Sequence, residues 1–203
     1  MSKFLNLIAA VLCSCLILPS CSKVMTPEAE KKQHDDEIRS VLFGSWDMTH
    51  EDYFFDRDKV YEKDHQPGYE TFTFSPEFDN SVLITRDNYT PYRVSPYRID
   101  GDNIYLCFSY SDDYLLKRSL DGNTFQLVMK KVRYTGNPDL LVERNDLSED
   151  GVSVYCTVFD YGRYYYKKDG EYILFGRYLF NTPDGKEITR NVDEIVSTFV
   201  RLK

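Results

Sequence analysis

The chain is poor in the residues that most protein chemistry relies on. Its 203 residues include five cysteines, three histidines and one tryptophan. Cys13, Cys15 and Cys21 sit at the N-terminal end, which leaves Cys107 and Cys156 for the folded part. No Cys-x-x-Cys and no Cys/His spacing suits a metal. His-Glu-x-x-His and the EF-hand loop are missing, so neither a metal nor a cofactor is expected. Gly-x-Ser-x-Gly is absent and no cysteine stands in an active-site context, so acyl transfer lacks its activated nucleophile. No catalytic residue is assigned and an enzyme is not expected. Basic residues are also in deficit, with 25 Lys and Arg against 33 Asp and Glu and a net charge of −8. No basic patch could neutralise a row of phosphates, which excludes nucleic acid as a partner. The same deficit excludes electrostatic docking on anionic lipid head groups. There is no repeat, no low-complexity tract and no interdomain linker.

What is present begins with a leader. Lys3 and the terminal amine precede a largely apolar stretch from Phe4 to Leu18. That is the shape of a secretory signal peptide over residues 1–20, too short for a spanning helix. Leu18-Pro19-Ser20-Cys21 resembles the bacterial lipoprotein cleavage box, with Pro19 a departure from it. The resemblance implies cleavage before Cys21, a diacylglycerol thioether on its sulfur, and an amine acylated by a fatty acid such as palmitate. Several buried acyl chains make such an anchor effectively permanent. Ser22 replaces the aspartate of the inner-membrane retention signal. The expected location is therefore the cell envelope, anchored by lipid in the outer membrane. An oxidising compartment permits a Cys107–Cys156 bridge, and two buried thiols are the alternative.

Residues 21–27 read as a lipidated tether, and 28–203 as one domain. Glu28 to Phe43 reads as a helix, with Thr26 as N-cap and Pro27 at the first helical position. Only its last turn is apolar, through Ile38, Val41 and Leu42. After Phe43 the period becomes two. Trp46 and Met48 share a face, with Ser45, Asp47 and Thr49 opposite. Asp56 to Gly68 is charged and reads as a loop. Phe72 and Phe74 mark a strand, Ser81 to Thr85 another, and Tyr92 to Ile99 an edge strand, because Pro96 cannot donate to a ladder. Asp100-Gly101-Asp102-Asn103 is a hairpin turn, the simpler account of three residues that resemble calcium ligands. Ile104 to Phe108, Tyr114 to Ser119 and Phe125 to Met129 follow as strands. Tyr134 to Gly151 breaks the rhythm. Val152 to Tyr166 resumes as a strand with a bulge at Gly162, then Tyr172 to Phe180, then Ile195 to Leu202. That makes about ten strands, against about eight for the smallest ligand-holding barrel.

Gly44-x-Trp46 after a short helix, Tyr69-Glu70-Thr71-Phe72-Thr73-Phe74, the stretches 97–106 and 120–127, and Thr198-Phe199-Val200-Arg201-Leu202-Lys203 together resemble the lipocalin superfamily. The nearest resemblance is to the lipocalin-like lipoproteins of Bacteroidetes, over residues 38–133 and 195–203. It implies an all-β fold: an antiparallel lipocalin-like barrel of about 8–10 strands after a short N-terminal helix. Gly44 would allow close backbone approach and Trp46 would plug the closed end. Ser111-Asp112-Asp113-Tyr114 faintly echoes the second lipocalin motif, and no arginine is assigned to the third.

The role expected is non-catalytic binding of a small apolar or amphipathic molecule in the barrel. Phe72, Phe74, Leu106, Phe108, Leu127 and Met129 are the candidate ligand residues, beside Trp46 and Met48. The rival role is an accessory subunit of an outer-membrane assembly, with a filled barrel and Tyr164, Tyr166, Tyr172 and Tyr178 as contact surface. Tyrosine also simply suits a half-buried pleated sheet. Tyr172 to Phe180 is apolar on both faces, so the helix, the 134–151 segment or a partner must cover it. His34, His50 and His65 are expected on the solvated surface, with His50 ending the first strand and His65 in a loop.

Overall fold

The structure, a computed structural model, describes residues 25–87, 90–107, 113–118, 122–129, 131–144, 154–157 and 163–203. The expected signal peptide, Cys21, the expected turn at Ser111-Asp112, Phe108 and Gly162 lie outside the described residues, as does the side chain of Cys156. Helix α1 spans Pro27–Leu42. Thr26 caps it, its hydroxyl accepting from Ala29 N at 3.3 Å and satisfying an amide the helix cannot. The chain divides into two compact units between Asp36 and Glu37, inside this helix. The front turns are charged and mostly exposed, while in the second unit Ile38 and Leu42 enter the core and Val41 stays exposed.

Fourteen strands follow among the described residues. They are β1 (Gly44–Phe55), β2 (Asp58–Asp64), β3 (Glu70–Phe74), β4 (Ser81–Arg86), β5 (Thr90–Asp100), β6 (Asn103–Cys107), β7 (Asp113–Arg118) and β8 (Thr124–Met129). Then come β9 (Leu141–Glu143), β10 (Val154–Thr157), β11 (Tyr164–Lys168), β12 (Glu171–Asn181), β13 (Glu187–Val192) and β14 (Glu194–Arg201). In the first sheet the order runs β14-β8-β7-β6-β5-β4-β3-β1, and β14 also pairs with β1. All these pairings are antiparallel. The ring therefore closes, which removes the unpaired edges an open sheet would leave. This is the antiparallel lipocalin-like barrel with a short leading helix that the sequence predicts.

The floor of the barrel is built around Trp46, which is buried together with Ile38, Leu42, Phe125 and Phe199. Its indole N–H donates to Leu42 O at 2.8 Å. Arg201 lies over the ring at 4.2 Å and donates to Phe43 O at 2.9 Å and to Val41 O. Gly44 has φ +132°, and a Cβ there would stand 3.1 Å from Arg201 Nη1. Arg201 thus clamps the helix end over the tryptophan. Asp47, expected to face away, is also buried. Its carboxylate accepts twice from Gly68 N, at 3.0 Å each, and from Thr71 Oγ1 at 3.3 Å.

Three expectations are corrected. Asp56–Gly68 is not all loop, since β2 pairs with the outer half of β1 from Phe55↔Asp58 to His50↔Asp64. Its charges mark an exposed edge strand, where they discourage further pairing. β5 is not an edge, since it lies between β4 and β6. Pro96 is tolerated there because it stands where β5 changes partner: the β4 ladder ends at Ser81↔Pro96 and the β6 ladder starts at Tyr97↔Leu106. Finally, the strands after residue 140 do not enter the ring until β14. β13-β12-β11-β10-β9 form a second sheet, in which the described residues of the stretch expected as one strand, Val152–Tyr166, belong to two strands, β10 and β11, paired antiparallel through Tyr155↔Tyr165.

The second sheet exists because β1 is too long for the barrel. β3 pairs only with Gly44–Asp47. Beyond a register shift between Met48 and His50, β1 continues between β14, paired as far as Phe54↔Glu194, and β2, as an arm whose Tyr53 and Phe55 need cover. The second sheet supplies it through two clusters: Phe55 with Tyr166 and Phe175, and Tyr53 with Phe180 and Val192. This also answers how Tyr172–Phe180 is covered. Its inward face packs on the arm, and residues 132–134 run beside its first half, with Leu174 N donating to Val132 O at 2.9 Å. Leu179 remains 63% exposed on the other face.

Candidate functional site

Four of the six predicted ligand residues sit together. Phe72, Phe74, Leu106 and Leu127 belong to one buried cluster with Trp46, Ile84, Ile104, Phe125 and Phe199. Phe199 stacks on Phe125 at 4.7 Å and meets Phe72 at 4.5 Å. Met129 is half-buried at the end of β8. From the floor to the level of Phe72 and Leu127, these side chains pack against one another.

One rung further from Trp46, the inward face turns polar. The shift after Met48 changes which β1 side chains point inward: Trp46 and Met48 before it, Glu51, Tyr53 and Phe55 after it. Ser197 shares a face of β14 with Phe199, Glu70 a face of β3 with Phe72, and Arg86 a face of β4 with Ile84. Glu51 is the hub. One carboxylate oxygen accepts from Tyr53 Oη at 2.7 Å and bonds His65 Nε2 at 2.8 Å, and the other accepts from Ser197 Oγ at 3.2 Å. His65, expected in solvent, has a side chain only 2% exposed. It stacks on Tyr69 at 4.0 Å. Glu70 faces Arg86 across the β3–β4 ladder at 2.9 Å.

The electrostatics follow from this burial. Burial raises the pKa of Glu70 above the ordinary glutamate range, against the pull of Arg86, and the Glu51 charge adds to the rise. Burial and the bond to Glu51 push the Tyr53 phenol far above its usual value, so it stays a neutral donor. The set does not form a nucleophile relay, because Ser197 bonds the carboxylate and not the imidazole that would have to take its proton. What it offers is an acceptor-rich layer over an apolar core. Sequence reading missed Glu51, Glu70, His65 and Ser197. The available signal was the alternation in Glu51-Asp52-Tyr53-Phe54-Phe55, but which face turned inward depended on the register with β14.

The outer face of the arm carries a second cluster. His50 lies within β1 rather than at its end. Its Nδ1 is 2.7 Å from Asp64 and its Nε2 3.0 Å from Asp52. These contacts raise its pKa, Asp64 contributing most. Lys59 Nζ bridges Asp52 at 2.8 Å and Glu62 at 3.0 Å. Among the described residues, ligand atoms of His50, Asp52 and Glu62 all lie within 4.8 Å of one another, close enough for this group to hold a metal.

The tyrosines proposed as a contact surface turn largely inward. Tyr166 is buried, its ring 4.9 Å from Phe55 and its hydroxyl donating to Asp193. Tyr164 and Tyr178 are half-buried against the same two clusters. Tyr172 lies under Lys167 at 5.6 Å. Asp193 is 1% exposed, pairs with Lys131 at 3.0 Å and accepts from Asp56 N at 3.3 Å. Its other oxygen finds no donor among the described residues. Compared with protein-family models and with curated proteins, the chain matches none.

Proposed function

We propose that this is a lipid-anchored, non-catalytic binding protein of the cell envelope, akin to the lipocalin-like lipoproteins and held in the outer membrane through Cys21. Its ligand is a small amphipathic molecule taken at the barrel end away from Trp46. One observation carries this reading: Glu51, Glu70, Ser197 and His65 form a polar layer directly above an apolar barrel interior. Few polar groups on a largely apolar concave wall suit a ligand with an apolar body and a hydrogen-bonding head. Met129, half-buried at the rim above the packed interior, faces the body, and Glu51 and Glu70 the head. Native mass spectrometry of the full-length protein, purified in detergent from its host, should show a bound small molecule that Glu51→Gln weakens. A bare protein would sink the reading. Cys21→Ala should move the protein from the membrane to the soluble fraction and abolish palmitate labelling.

A second reading, an accessory subunit of an envelope assembly, is favoured by the exposed Leu140, Val142 and Leu179, the first two beside or in the edge strand β9. A reproducible protein partner in place of a small molecule would select it.

A further inference from the structure

We propose that the outer face of the β1–β2 arm is a divalent-cation site of the zinc class, with His50 Nε2, Asp52 and Glu62 as ligands. The hairpin register builds it. His50 stands opposite Asp64 and Asp52 opposite Glu62. Residues two apart on a strand and directly opposed across an antiparallel pair share one face, so all four side chains project together. His50, Asp52 and Glu62 already bring one ligand atom each within 4.8 Å of the others. Tetrahedral bonds of about 2.0–2.2 Å place ligand atoms roughly 3.3–3.6 Å apart, so rotamer adjustment alone closes the set. One imidazole with two carboxylates and a water as fourth ligand is chemistry that zinc accepts.

Two further features favour a cation. Asp64 sits on the remaining ring nitrogen of His50 at 2.7 Å, the position from which a carboxylate orients a metal-binding imidazole and strengthens it as a ligand. Three carboxylates, Asp52, Glu62 and Asp64, share this face with Lys59, whose ammonium lies between Asp52 and Glu62. Lys59 is therefore the internal competitor: a long, half-exposed side chain placed where a metal would neutralise the same two groups, and able to swing into solvent. A bound cation would fasten β2 to β1, the arm on which the second sheet rests. Sequence spacing cannot reveal this site, because its ligands come from two strands.

The test is titration of the purified full-length chain in detergent with Zn²⁺ by calorimetry, and with Co²⁺ by visible absorption. One saturable equivalent is expected, with the absorption of a tetrahedral site. His50→Gln and Asp52→Asn should each abolish it. Asp64→Asn should weaken binding about 10-fold, and Lys59→Met should tighten it while His34→Gln leaves it unchanged. Circular dichroism of the metal-free variants confirms that they fold. No saturable binding, or binding that survives His50→Gln or is weakened by Lys59→Met, would overturn the proposal.

Discussion

The barrel and the second sheet are both antiparallel β-structure, yet they hold together by different means. Inside the ring the packing is mostly carbon against carbon: Phe72, Phe199, Val82, Ile104 and Leu106 are fully buried, and Phe199 packs on both Phe72 and Phe125 with no polar tip between the rings. Between the arm and the second sheet, each buried cluster has only three members, and once the partly buried side chains packed on them are included, five of the eight aromatic rings are tyrosines. Their hydroxyls reach polar groups at the layer edge: Tyr61 to Asn181 O at 2.8 Å, Tyr53 to Glu51, and Tyr166 to Asp193. A closed ring can exclude water from its whole interior. A two-layer stack has rims, and there a side chain with an apolar body and a polar tip fits best.

If that contrast is right, the barrel should set global stability and the second sheet should open first. Phe199→Ala should cost about 3–5 kcal/mol and lower the denaturant midpoint of the whole chain. Phe55→Ala, at a layer rim that can collapse, should cost about 2–3 kcal/mol. Hydrogen exchange should show its effect concentrated in β11 and β12. Equal losses of protection in β3 and β8 would erase the distinction.

Smaller effects sharpen it. Tyr166→Phe removes a donor from buried Asp193 and should cost about 1–3 kcal/mol, whereas a tyrosine at a purely apolar contact would lose almost nothing. Gly44→Ala combines a positive φ with a crowded Arg201 and should cost about 1–3 kcal/mol, read as a lower thermal midpoint. The mildest effect is a pH trend at Glu70. Its folded pKa lies above the unfolded one, so the folded state holds the proton more tightly across that interval. Stability from this group is greatest below the ordinary glutamate range and falls as pH rises through the folded pKa. Glu70→Gln carries no such proton. Its stability relative to wild type should rise between acid and neutral pH, and a flat difference would place Glu70 in solvent.

Much of the ring could be read directly from residue order. Phe72/Phe74, Ile104/Leu106 and Phe125/Leu127 alternate as a half-buried strand must. Gly101, at φ +56°, turns where expected. β2 could not be read this way: Lys59, Glu62, Lys63 and Asp64 look like loop residues until a neighbouring strand supplies their partners. The face change after Met48 is likewise set by pairing with β14, some 150 residues later in the chain. With it went the inward placement of Glu51 and the outward cluster around His50.

By itself, therefore, the order of residues determined a β-barrel with a tryptophan floor and a short helix before it, because alternation and turn chemistry act over a few neighbours. Tertiary structure alone decided that β9 to β13 build a separate sheet, that Tyr164, Tyr166 and Tyr178 turn inward, and which carboxylates meet which histidine. Those outcomes depend on strand register across long separations, where a shift of one residue exchanges the two faces of a strand.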